Sequence, residues 1–237
     1  CIIVATLTGD MIIPSTACVV QANLGASHAA AYDLGASCSG FVYGLNTAGS
    51  YVNTGFFKNV LVIGVEVMSR VVNWKDRGTC VLFGDGAGAA IVSEVEEGYG
   101  MLGMDMGADG TGGVNLCIPA GGTAMIANDS RIEEGLTYIQ MNGSEVYKFA
   151  VHAMPGAAEK VMKLSGWTSD EVAMLIPHQA NLRIIESASK RLHIPMNKIF
   201  VNIQNYANTS GASIPIAMDE ANRAGLLHRG DKVVLAG

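Results

Sequence analysis

Short apolar runs rich in β-branched residues recur along the chain, and longer stretches with apolar positions at helical spacing lie between them. Such short runs are typical of strands buried in a sheet. The pattern predicts strands at Ile2–Ala5, Ala30–Asp33, Asn59–Gly64, Thr79–Phe83, Ala89–Ser93, Val172–Ile176, Ile199–Val201 and Lys232–Leu235. It predicts helices at Thr16–Leu24, Ser39–Thr54, Met141–Ser165, Ala180–Arg191 and Ile214–Ala224.

Strands that alternate with helices in this way predict an α/β fold, in which a mainly parallel sheet is covered by helices on both faces. Residues 103–135 interrupt the alternation, because they are rich in glycine and in polar residues. A stretch of this length without regular structure is uncommon inside a compact domain. We therefore expect a long excursion between two halves of the chain.

The two halves share a sequence pattern. Ser39–Gly64 and Ser210–Gly237 each contain Ser-Gly, then an apolar helix, a glycine at the helix end and a strand. Cys38 directly precedes the first Ser-Gly, and Asn208 lies just before the second. The similarity is loose, but it indicates a duplication in which two equivalent helix N-termini face a shared centre.

Composition narrows the class of protein. Hydrophobic residues make up 49% of the chain and charged residues only 15%, which favours strands buried on both faces and an interface between copies. The net charge is −6, and no basic cluster typical of nucleic-acid binding is present. No apolar run reaches the roughly 18 residues that a membrane-spanning helix needs. We therefore expect neither a nucleic-acid partner nor a membrane partner.

The cysteines and the chain ends carry further information. The five cysteines include no CxxC pair and no His/Cys cluster at metal-binding spacing, so we expect reduced thiols, no metal site and a cytoplasmic protein. The sequence begins at Cys1 inside a predicted strand and stops directly after another. We expect from this a chain that is truncated at both ends.

Cys38 is the candidate nucleophile. It lies between a predicted strand and the N-terminus of a predicted helix, with Gly35 and Gly40 nearby to permit a tight turn and close approach of a substrate. Unpaired amides and the helix dipole favour a thiolate at such a position, so we predict a lowered pKa for this thiol. The alternative is that Cys38 is a small buried hydrophobic residue.

His178 and Asn208 are the candidate partners. His178 follows a buried strand through Pro177, at the end of the strand where open α/β sheets bind ligands. Asn208 precedes an apolar helix in the stretch "NYANTSGAS". Each has an ordinary structural alternative, since a histidine there can be a hydrogen-bonded core residue and an asparagine there can be a helix cap. Cys, His and Asn together form a known nucleophilic set.

Two other assignments fail on sequence context. Papain-like proteases use the same residue order with about 130–150 residues between Cys and His, but they need a C-G-S-C-W motif that is absent from "GASCSGF". Gly84, Gly86 and Ala89 satisfy the GxGxxA dinucleotide pattern, which must open a helix. Here a strand-like run follows, so we predict a tight turn between strands.

Three motifs in register resemble one family. "DLGASCSGF", "PHQANLRI" and "YANTSGASIP" are similar to the nucleophile, histidine and asparagine motifs of the 3-oxoacyl-[acyl-carrier-protein] synthase III family, thiolase-fold condensing enzymes. The resemblance spans the whole chain. It implies two duplicated βαβ halves, residues 1–130 and 131–237, that form a layered α-β-α-β-α core. It also implies that the truncated chain alone has little or no activity.

The resemblance implies an acyltransferase reaction in two steps. Cys38 takes the acyl group from an acyl-CoA, and malonyl-acyl-carrier-protein then loses CO2 and attacks the acyl-cysteine, which starts fatty acid synthesis. His178 and Asn208 donate hydrogen bonds to the thioester oxygen that becomes negative. No cofactor is implied. Two alternatives stay open: a related condensing or acyl-transfer enzyme of secondary metabolism with another acceptor, and a non-catalytic subunit of the same fold.

The resemblance also implies binding residues and a homodimer. Arg77 matches a CoA contact, Asn181 a contact with the pantetheine arm, and Ile13 a position through which the partner subunit closes the primer pocket. The implied carrier-protein-binding segment consists of Gln179, Ala180, Asn181, Leu182 and Arg183. Two departures are Ser37, where the family usually has Ala, and Ala207, where it usually has Gly.

Overall fold

The computed structural model describes all 237 residues. The strands are β1 Ile2–Ala5, β2 Ala31–Leu34, β3 Asn59–Val67, β4 Asp85–Ser93, β5 Leu116–Cys117, β6 Gln140–Met141, β7 Met174–Pro177 and β8 Val233–Ala236. The helices are α1 Thr16–Asn23, α2 Gly40–Asn53, α3 Asp129–Glu133, α4 Gly143–Leu164, α5 Leu182–Leu192, α6 Ile203–Tyr206 and α7 Ser213–Arg223.

Two main sheets replace the single sheet that the alternation predicts. The first has the order β2-β1-β3-β4, with β1 parallel to both of its neighbours and β4 antiparallel to β3. The second consists of β7 and β8 in parallel. A small antiparallel pair, β5 with β6, lies outside both. Each half of the chain therefore supplies one of the main sheets.

The first sheet divides its side chains between two layers. Successive strand residues point to opposite faces, so Ile2 and Val4 of β1 pack with Ala17 of α1 on the outer face. On the inner face, Val62 of β3 packs in one cluster with Phe41 of α2. Each fully buried side chain of this size contributes about 1.5–3 kcal/mol.

Helices α2 and α7 form the central layer between the sheets. Their cluster joins residues of β1 and β3 to Ile176 of β7 and Ile214 of α7. A second large cluster packs α4 and α5 against the outer face of β7 and β8, with Leu175 and Ile185 fully buried. The order of layers is α1, first sheet, α2 with α7, second sheet, α4 with α5. This confirms the predicted α-β-α-β-α arrangement.

Close backbone approach at two glycines brings the central layer onto the first sheet. A Cβ on Gly44 would lie 2.7 Å from Cγ1 of Val62, so α2 lies directly on β3. A Cβ on Gly64 would lie 2.2 Å from the carbonyl oxygen of Gly211, so the turn before α7 also lies on β3. Side chains at these positions would push the helix N-termini away from the sheet.

Two predicted strands are wrong. Residues 79–82 form turns, because the Asp76 carboxylate accepts a 2.7 Å hydrogen bond from the Thr79 hydroxyl and its carbonyl accepts one from the Cys80 amide, and Phe83 forms only an isolated bridge with Asn208. This local turn overrides the strand propensity of the segment. At 199–201 only Ile199 forms a bridge, with Leu175 of β7, before the chain enters α6.

The glycine-rich motif "FGDGAGA" is also different from its prediction. Gly86 and Gly88 lie within β4 and not in a turn between strands. A Cβ on Gly88 would lie 2.8 Å from Cβ of Pro215, so the glycines let α7 pack closely on this strand. The motif therefore contributes to packing between layers.

The excursion over residues 103–135 is mostly irregular, as predicted, and contains β5, α3 and a 3₁₀ turn at Gly110–Asn115. β5 lies before position 130 and pairs with β6, which lies after it, so this strand pair joins the two predicted parts of the chain. The division of the chain into 1–130 and 131–237 stays a prediction. None of the helices combines the length and the apolar composition that a membrane crossing requires.

Candidate active site

Cys38, His178 and Asn208 line one cavity of about 910 Å³ between the two halves of the chain. The walls are mainly apolar, with side chains from α2, α4 and the segment around Met101 and Met104. An apolar cavity with a few converging polar groups is the usual form of a binding site for a small molecule. The three predicted residues are therefore brought together by the fold.

Cys38 lies in a 3₁₀ turn, Ser37–Ser39, directly before α2. Its Sγ lies 3.7 Å from Oγ of Ser210. Burial raises the pKa of the Cys38 thiol, the hydrogen bond to Ser210 lowers it, and the charge of Glu66 raises it. The predicted net lowering of this pKa is wrong, because removal of the thiolate from water is the largest of these effects.

His178 follows β7 and is 6% exposed. Its Nδ1 lies 2.6 Å from Oγ of Ser213, and the same Oγ accepts a hydrogen bond from the Gln179 amide. Burial lowers the pKa of His178 to about 4, so the ring is neutral at pH 7. When Ser213 donates to Nδ1, the ring proton lies on Nε2, and that nitrogen is the donor available to the cavity.

Asn208 is held by its own backbone surroundings. Its Oδ1 accepts a 2.8 Å hydrogen bond from the Ser210 amide, which leaves Nδ2 as a donor toward the cavity. Its amide donates to Leu82, and its carbonyl accepts from Gly84, so the residue is fixed to the segment before β4. Two N–H donors, from His178 and Asn208, thus line the cavity beside one thiol.

The turn before α7 and the first residue of α7 connect all three residues. Ser210 contacts both Cys38 and Asn208, and Ser213 contacts His178. Ser210 also donates to the buried carboxylate of Glu66, at 3.3 Å. The sequence pattern does not predict a functional role for Glu66, Ser210 or Ser213. The signal for Glu66 was a single charged residue inside the apolar run "VLVIGVEVM", and the signal for the serines was their place in "TSGAS".

Sequence comparison decides the family. A family model described as 3-oxoacyl-[acyl-carrier-protein (ACP)] synthase III matches residues 32–110, and the model of its C-terminal part matches residues 162–237. A protein of Caldanaerobacter subterraneus named beta-ketoacyl-[acyl-carrier-protein] synthase III is 57% identical over 233 residues, which cover 98% of this chain and 70% of the relative. The chain belongs to the 3-oxoacyl-[acyl-carrier-protein] synthase III family.

Solved structures of synthase III proteins share the fold. The structure of beta-ketoacyl-[acyl-carrier-protein] synthase III from Thermus thermophilus is 44% identical, with a TM-score of 0.89 over 99% of this chain and 71% of that one. The structure of a priming beta-ketosynthase from a polyketide biosynthetic pathway is 32% identical, with a TM-score of 0.87 over 99% of this chain and 69% of that one. The thiolase-like fold predicted from the motifs is confirmed.

The segment predicted to bind the carrier protein in this synthase III chain divides into buried and exposed residues. Gln179 is 1% exposed, donates to the carbonyls of Pro177 and Phe200, and accepts from the Asn202 amide. The prediction that Gln179 contacts a carrier protein is therefore wrong, because its side chain is fully used inside the fold. Ala180 is half-buried and lines the cavity.

The rest of the segment is accessible. Asn181 lines the cavity and caps α5, since its Oδ1 accepts a 2.9 Å hydrogen bond from the Arg183 amide. Leu182 and Arg183 are exposed on the first turn of α5. A role for these three residues in binding a substrate or a carrier protein stays a prediction.

Arg77 and Ile13 lie outside the cavity walls. Arg77 is exposed in the turn segment after β3, and Ile13 is 84% exposed in the loop before α1. Neither residue closes the cavity of its own chain. Their predicted roles, contact with CoA for Arg77 and closure of a partner's pocket for Ile13, are untested.

Proposed function

We propose that this chain catalyses the condensation of an acyl-CoA primer with malonyl-acyl-carrier-protein, through an acyl-cysteine on Cys38, and so starts fatty acid synthesis. The observation that carries the proposal is the convergence of Cys38, His178 and Asn208 on one cavity in a chain of the synthase III family. Each of the three residues lies in the family motif where its role predicts it.

The first step is acyl transfer. The Cys38 thiol loses its proton, Sγ attacks the thioester carbonyl carbon of acyl-CoA, and the CoA thiolate leaves. Cys38 lies at the N-terminus of α2, where the helix dipole stabilises negative charge that develops in the cavity. The half-buried position of the thiol leaves it within reach of a substrate while most water is excluded.

The second step is decarboxylation and carbon–carbon bond formation. The bond from the malonyl α-carbon to its carboxylate breaks and releases CO2, which leaves an enolate whose charge lies mainly on the thioester oxygen. His178 and Asn208 donate hydrogen bonds to that oxygen. The enolate carbon then attacks the acyl-cysteine carbonyl, and Cys38 leaves as a thiolate. Removal of one such donor typically costs about 10²–10³ in rate.

The neutral state of His178 suits this role. With a pKa of about 4 the ring carries no charge at pH 7, so it donates through Nε2 without a preceding proton transfer. Ser213 fixes Nδ1 and therefore the tautomer. The buried Asn208 amide has a fixed direction for the same reason, because Ser210 holds its oxygen. Both donors are oriented before the substrate arrives, which is what electrostatic stabilisation requires.

The proposal also includes the residues that bind the substrates, the partner subunit and the location of the enzyme. Asn181, at the cavity wall, contacts the pantetheine arm, and Arg77 contacts the far end of CoA. Leu182 and Arg183 form an exposed apolar and cationic pair that receives the acidic carrier protein. A homodimer, in which Ile13 closes the partner's pocket, and a cytoplasmic location complete the proposal.

The direct test uses the enzyme, an acyl-CoA and malonyl-acyl-carrier-protein, with 3-oxoacyl-acyl-carrier-protein measured by mass spectrometry. We expect product with the native enzyme and with Cys117→Ala, and none with Cys38→Ala. Cys117 is a matched control, since it is also a half-buried free cysteine but lies in β5 outside the cavity. Product formation by Cys38→Ala at the native rate would refute the proposal.

A second candidate is the priming of a polyketide, favoured by the structural similarity to a priming beta-ketosynthase of such a pathway. The chemistry at Cys38 is the same, and only the primer and the carrier protein differ. A panel of primers with carrier proteins of both kinds separates the two functions. A preference of at least tenfold for the fatty acid carrier protein supports the first, and the reverse preference supports the second.

A further inference from the structure

A chain of three polar side chains leads from the nucleophile to a buried carboxylate. Sγ of Cys38 lies 3.7 Å from Oγ of Ser210, and that Oγ lies 3.3 Å from Oε1 of Glu66. In this order the thiol donates to the hydroxyl, and the hydroxyl donates to the carboxylate. Glu66 is 1% exposed and lies near the end of β3, on the face that packs against the central layer.

Every other partner of the Glu66 carboxylate is a neutral donor from the loop after β1. The amides of Leu7 and Thr8 and the hydroxyls of Thr6 and Thr8 all donate to it, the last at 2.6 Å. No Lys, Arg or His pairs with this carboxylate. A buried carboxylate without a cation is expensive to keep charged, and burial raises the pKa of Glu66.

Cys38 is the only titratable group that faces Glu66 from the elements packed against it. The loop after β1 presents threonines and amides, and the turn Ser210–Ala212 presents a serine. On β4, Gly86 pairs with Glu66, while the neighbouring Asp85 points to the other face and binds the amide and hydroxyl of Ser69. Within this chain of hydrogen bonds, the titratable group connected to Glu66 is therefore Cys38.

We propose that Glu66 is a positioning residue that receives the thiol proton of Cys38 through Ser210. This deepens the proposed function and rests on it for the identity of the acyl donor. In the step, the S–H bond of Cys38 breaks and its proton passes to Oγ of Ser210. The original hydroxyl proton of Ser210 passes to Oε1 of Glu66. The resulting thiolate attacks the thioester carbonyl, and the departing CoA thiolate takes up the proton that Glu66 returns through Ser210.

Charge balance favours this transfer over simple ionisation. If Cys38 ionised while Glu66 remained charged, two negative charges would share a poorly solvated site, and like charges there repel strongly. Transfer of the proton to Glu66 keeps a single negative charge and only moves it from carboxylate to sulfur. The two groups then titrate as a coupled pair and not as independent sites.

The proton relay consists of Cys38, Ser210 and Glu66, and the backbone in and beside it is strained at two residues. Ser37 and Ser210, both non-glycine residues, have φ of +45° and +48° in the left-handed region. Such residues cost energy and cluster at functional sites, where the surrounding structure holds them. Here the two strained residues lie beside Cys38 and at the middle of the relay. With this backbone conformation, the Ser210 hydroxyl lies between the sulfur and the carboxylate.

The test measures the rate of Cys38 alkylation by iodoacetamide against pH, by mass spectrometry of the intact protein, and needs no acyl substrate. The relay predicts that the alkylation rate of the native protein reaches a plateau at neutral pH. The reason is that the fraction of Cys38 present as a thiolate paired with protonated Glu66 does not vary with pH there. Glu66→Gln and Ser210→Ala should both lose the plateau and fall at least tenfold in rate at pH 6.5. Their rates should then rise about tenfold per pH unit, as for an isolated thiol.

The opposite outcome is equally well defined. If Glu66 acts only through its charge, Glu66→Gln lowers the pKa of the thiol and alkylation at pH 6.5 becomes faster, which would overturn the relay. Unchanged profiles in both variants, as a structural role predicts, would also overturn it. Glu220→Gln is the matched control, because Glu220 also binds two neutral partners, Asn202 and Tyr206, and lies away from Cys38. It should retain the plateau.

The two variants and the acylation assay together separate loss of the relay from a folding defect and from failure of the proposed function. Glutamine at position 66 retains an oxygen for the donors from Leu7 and Thr8, and Ser210→Ala leaves Glu66 unaltered, so the two variants perturb folding differently. If the native enzyme forms no acyl-cysteine but shows the plateau, the proposed function fails and the relay stands. If it forms the acyl-cysteine without a plateau, the relay alone fails.

Discussion

Oγ of Ser213 lies 2.6 Å from Nδ1 of His178 and at the same time accepts a hydrogen bond from the Gln179 amide. Because the hydroxyl already accepts from the amide, its own proton is free to point at the ring. This single contact sets which nitrogen of His178 carries a proton, and therefore whether the ring donates into the cavity. The geometry makes Ser213 a positioning residue for the decarboxylation step.

Replacement of Ser213 by alanine should slow decarboxylation and leave acyl transfer to Cys38 nearly unchanged. The loss of a buried hydrogen-bond partner costs about 1–3 kcal/mol, which corresponds to roughly 5- to 150-fold in rate. The measurement is CO2 release by enzyme that was acylated beforehand. Ser189→Ala is the control, since the Ser189 hydroxyl is also buried and donates to the Ile194 carbonyl far from the cavity. Equal losses in both variants would contradict the assigned role.

Asn208→Ala should separate the two half-reactions. The variant keeps the thiol and the neutral imidazole but lacks one of the two donors to the enolate oxygen. We expect decarboxylation to fall by about 10²–10³ while Cys38 still accepts an acyl group. Rapid-quench measurement of both steps checks this. A variant that loses acylation and decarboxylation to the same extent would show that Asn208 supports the site's structure and not the charge on the oxygen.

His178 should make the fold sensitive to acid. Its pKa is about 4 in the folded protein and about 6.5 in an unfolded chain, so the unfolded state binds more protons between these values. The free energy of unfolding contributed by this group is complete above about pH 6.5 and is lost as the pH falls toward 4. The loss is at most about 3 kcal/mol. Urea unfolding at several pH values measures it.

In His178→Gln this part of the pH dependence should disappear. His28→Gln is the control, because His28 is exposed and its replacement leaves the buried ring in place. If the two variants show the same dependence between pH 4 and 6.5, the buried neutral state assigned to His178 is incorrect.

Ala207→Gly should stabilise the protein. Ala207 has φ of +57° and ψ of −158°, a region that glycine occupies freely and alanine does not. The substitution therefore introduces the residue that this backbone conformation favours. Relief of about 1–3 kcal/mol of strain exceeds the entropy that glycine adds to the unfolded chain, about 0.5–1 kcal/mol.

We expect a rise in Tm of a few degrees for Ala207→Gly, measured by calorimetry. Ala36→Gly is the comparison variant, since Ala36 has φ of −143° and gains nothing from glycine. A lower Tm for Ala207→Gly than for the native protein would show that the backbone at 207 is not strained.

The sequence predicts correctly which helices and strands flank the three residues of the candidate site. Cys38 and Asn208 precede equivalent helices in two similar halves, and the structure places both helices in the central layer with their N-termini at one cavity. Long apolar runs predict β3 and α2 within a few residues, because burial on both faces leaves little choice of structure. The motif around His178 lies at the end of β7, as a parallel strand requires.

Most of the parts that the sequence does not predict depend on contacts between distant segments. Glu66 becomes part of the site only because Gly64 and Gly211 bring β3 and the turn before α7 together. Gln179 lies within an exposed-looking motif, yet three hydrogen bonds inside the fold bury it. Residues 79–83 have strand propensity, but Asp76 turns the chain locally. The first two outcomes depend on contacts between distant segments, whereas the turn at Asp76 is a local contact that competes with the strand propensity of the segment.

The central claim is that the sulfur of Cys38 carries the acyl group in a cavity shared with His178 and Asn208. The most direct measurement is peptide mapping by mass spectrometry after the enzyme is incubated with acetyl-CoA and then with malonyl-acyl-carrier-protein. We predict one acetyl group, on the peptide that contains Cys38, which disappears as 3-oxobutyryl-acyl-carrier-protein forms. An acetyl group on another residue, or product formed while Cys38 stays unmodified at every time point, would contradict the account.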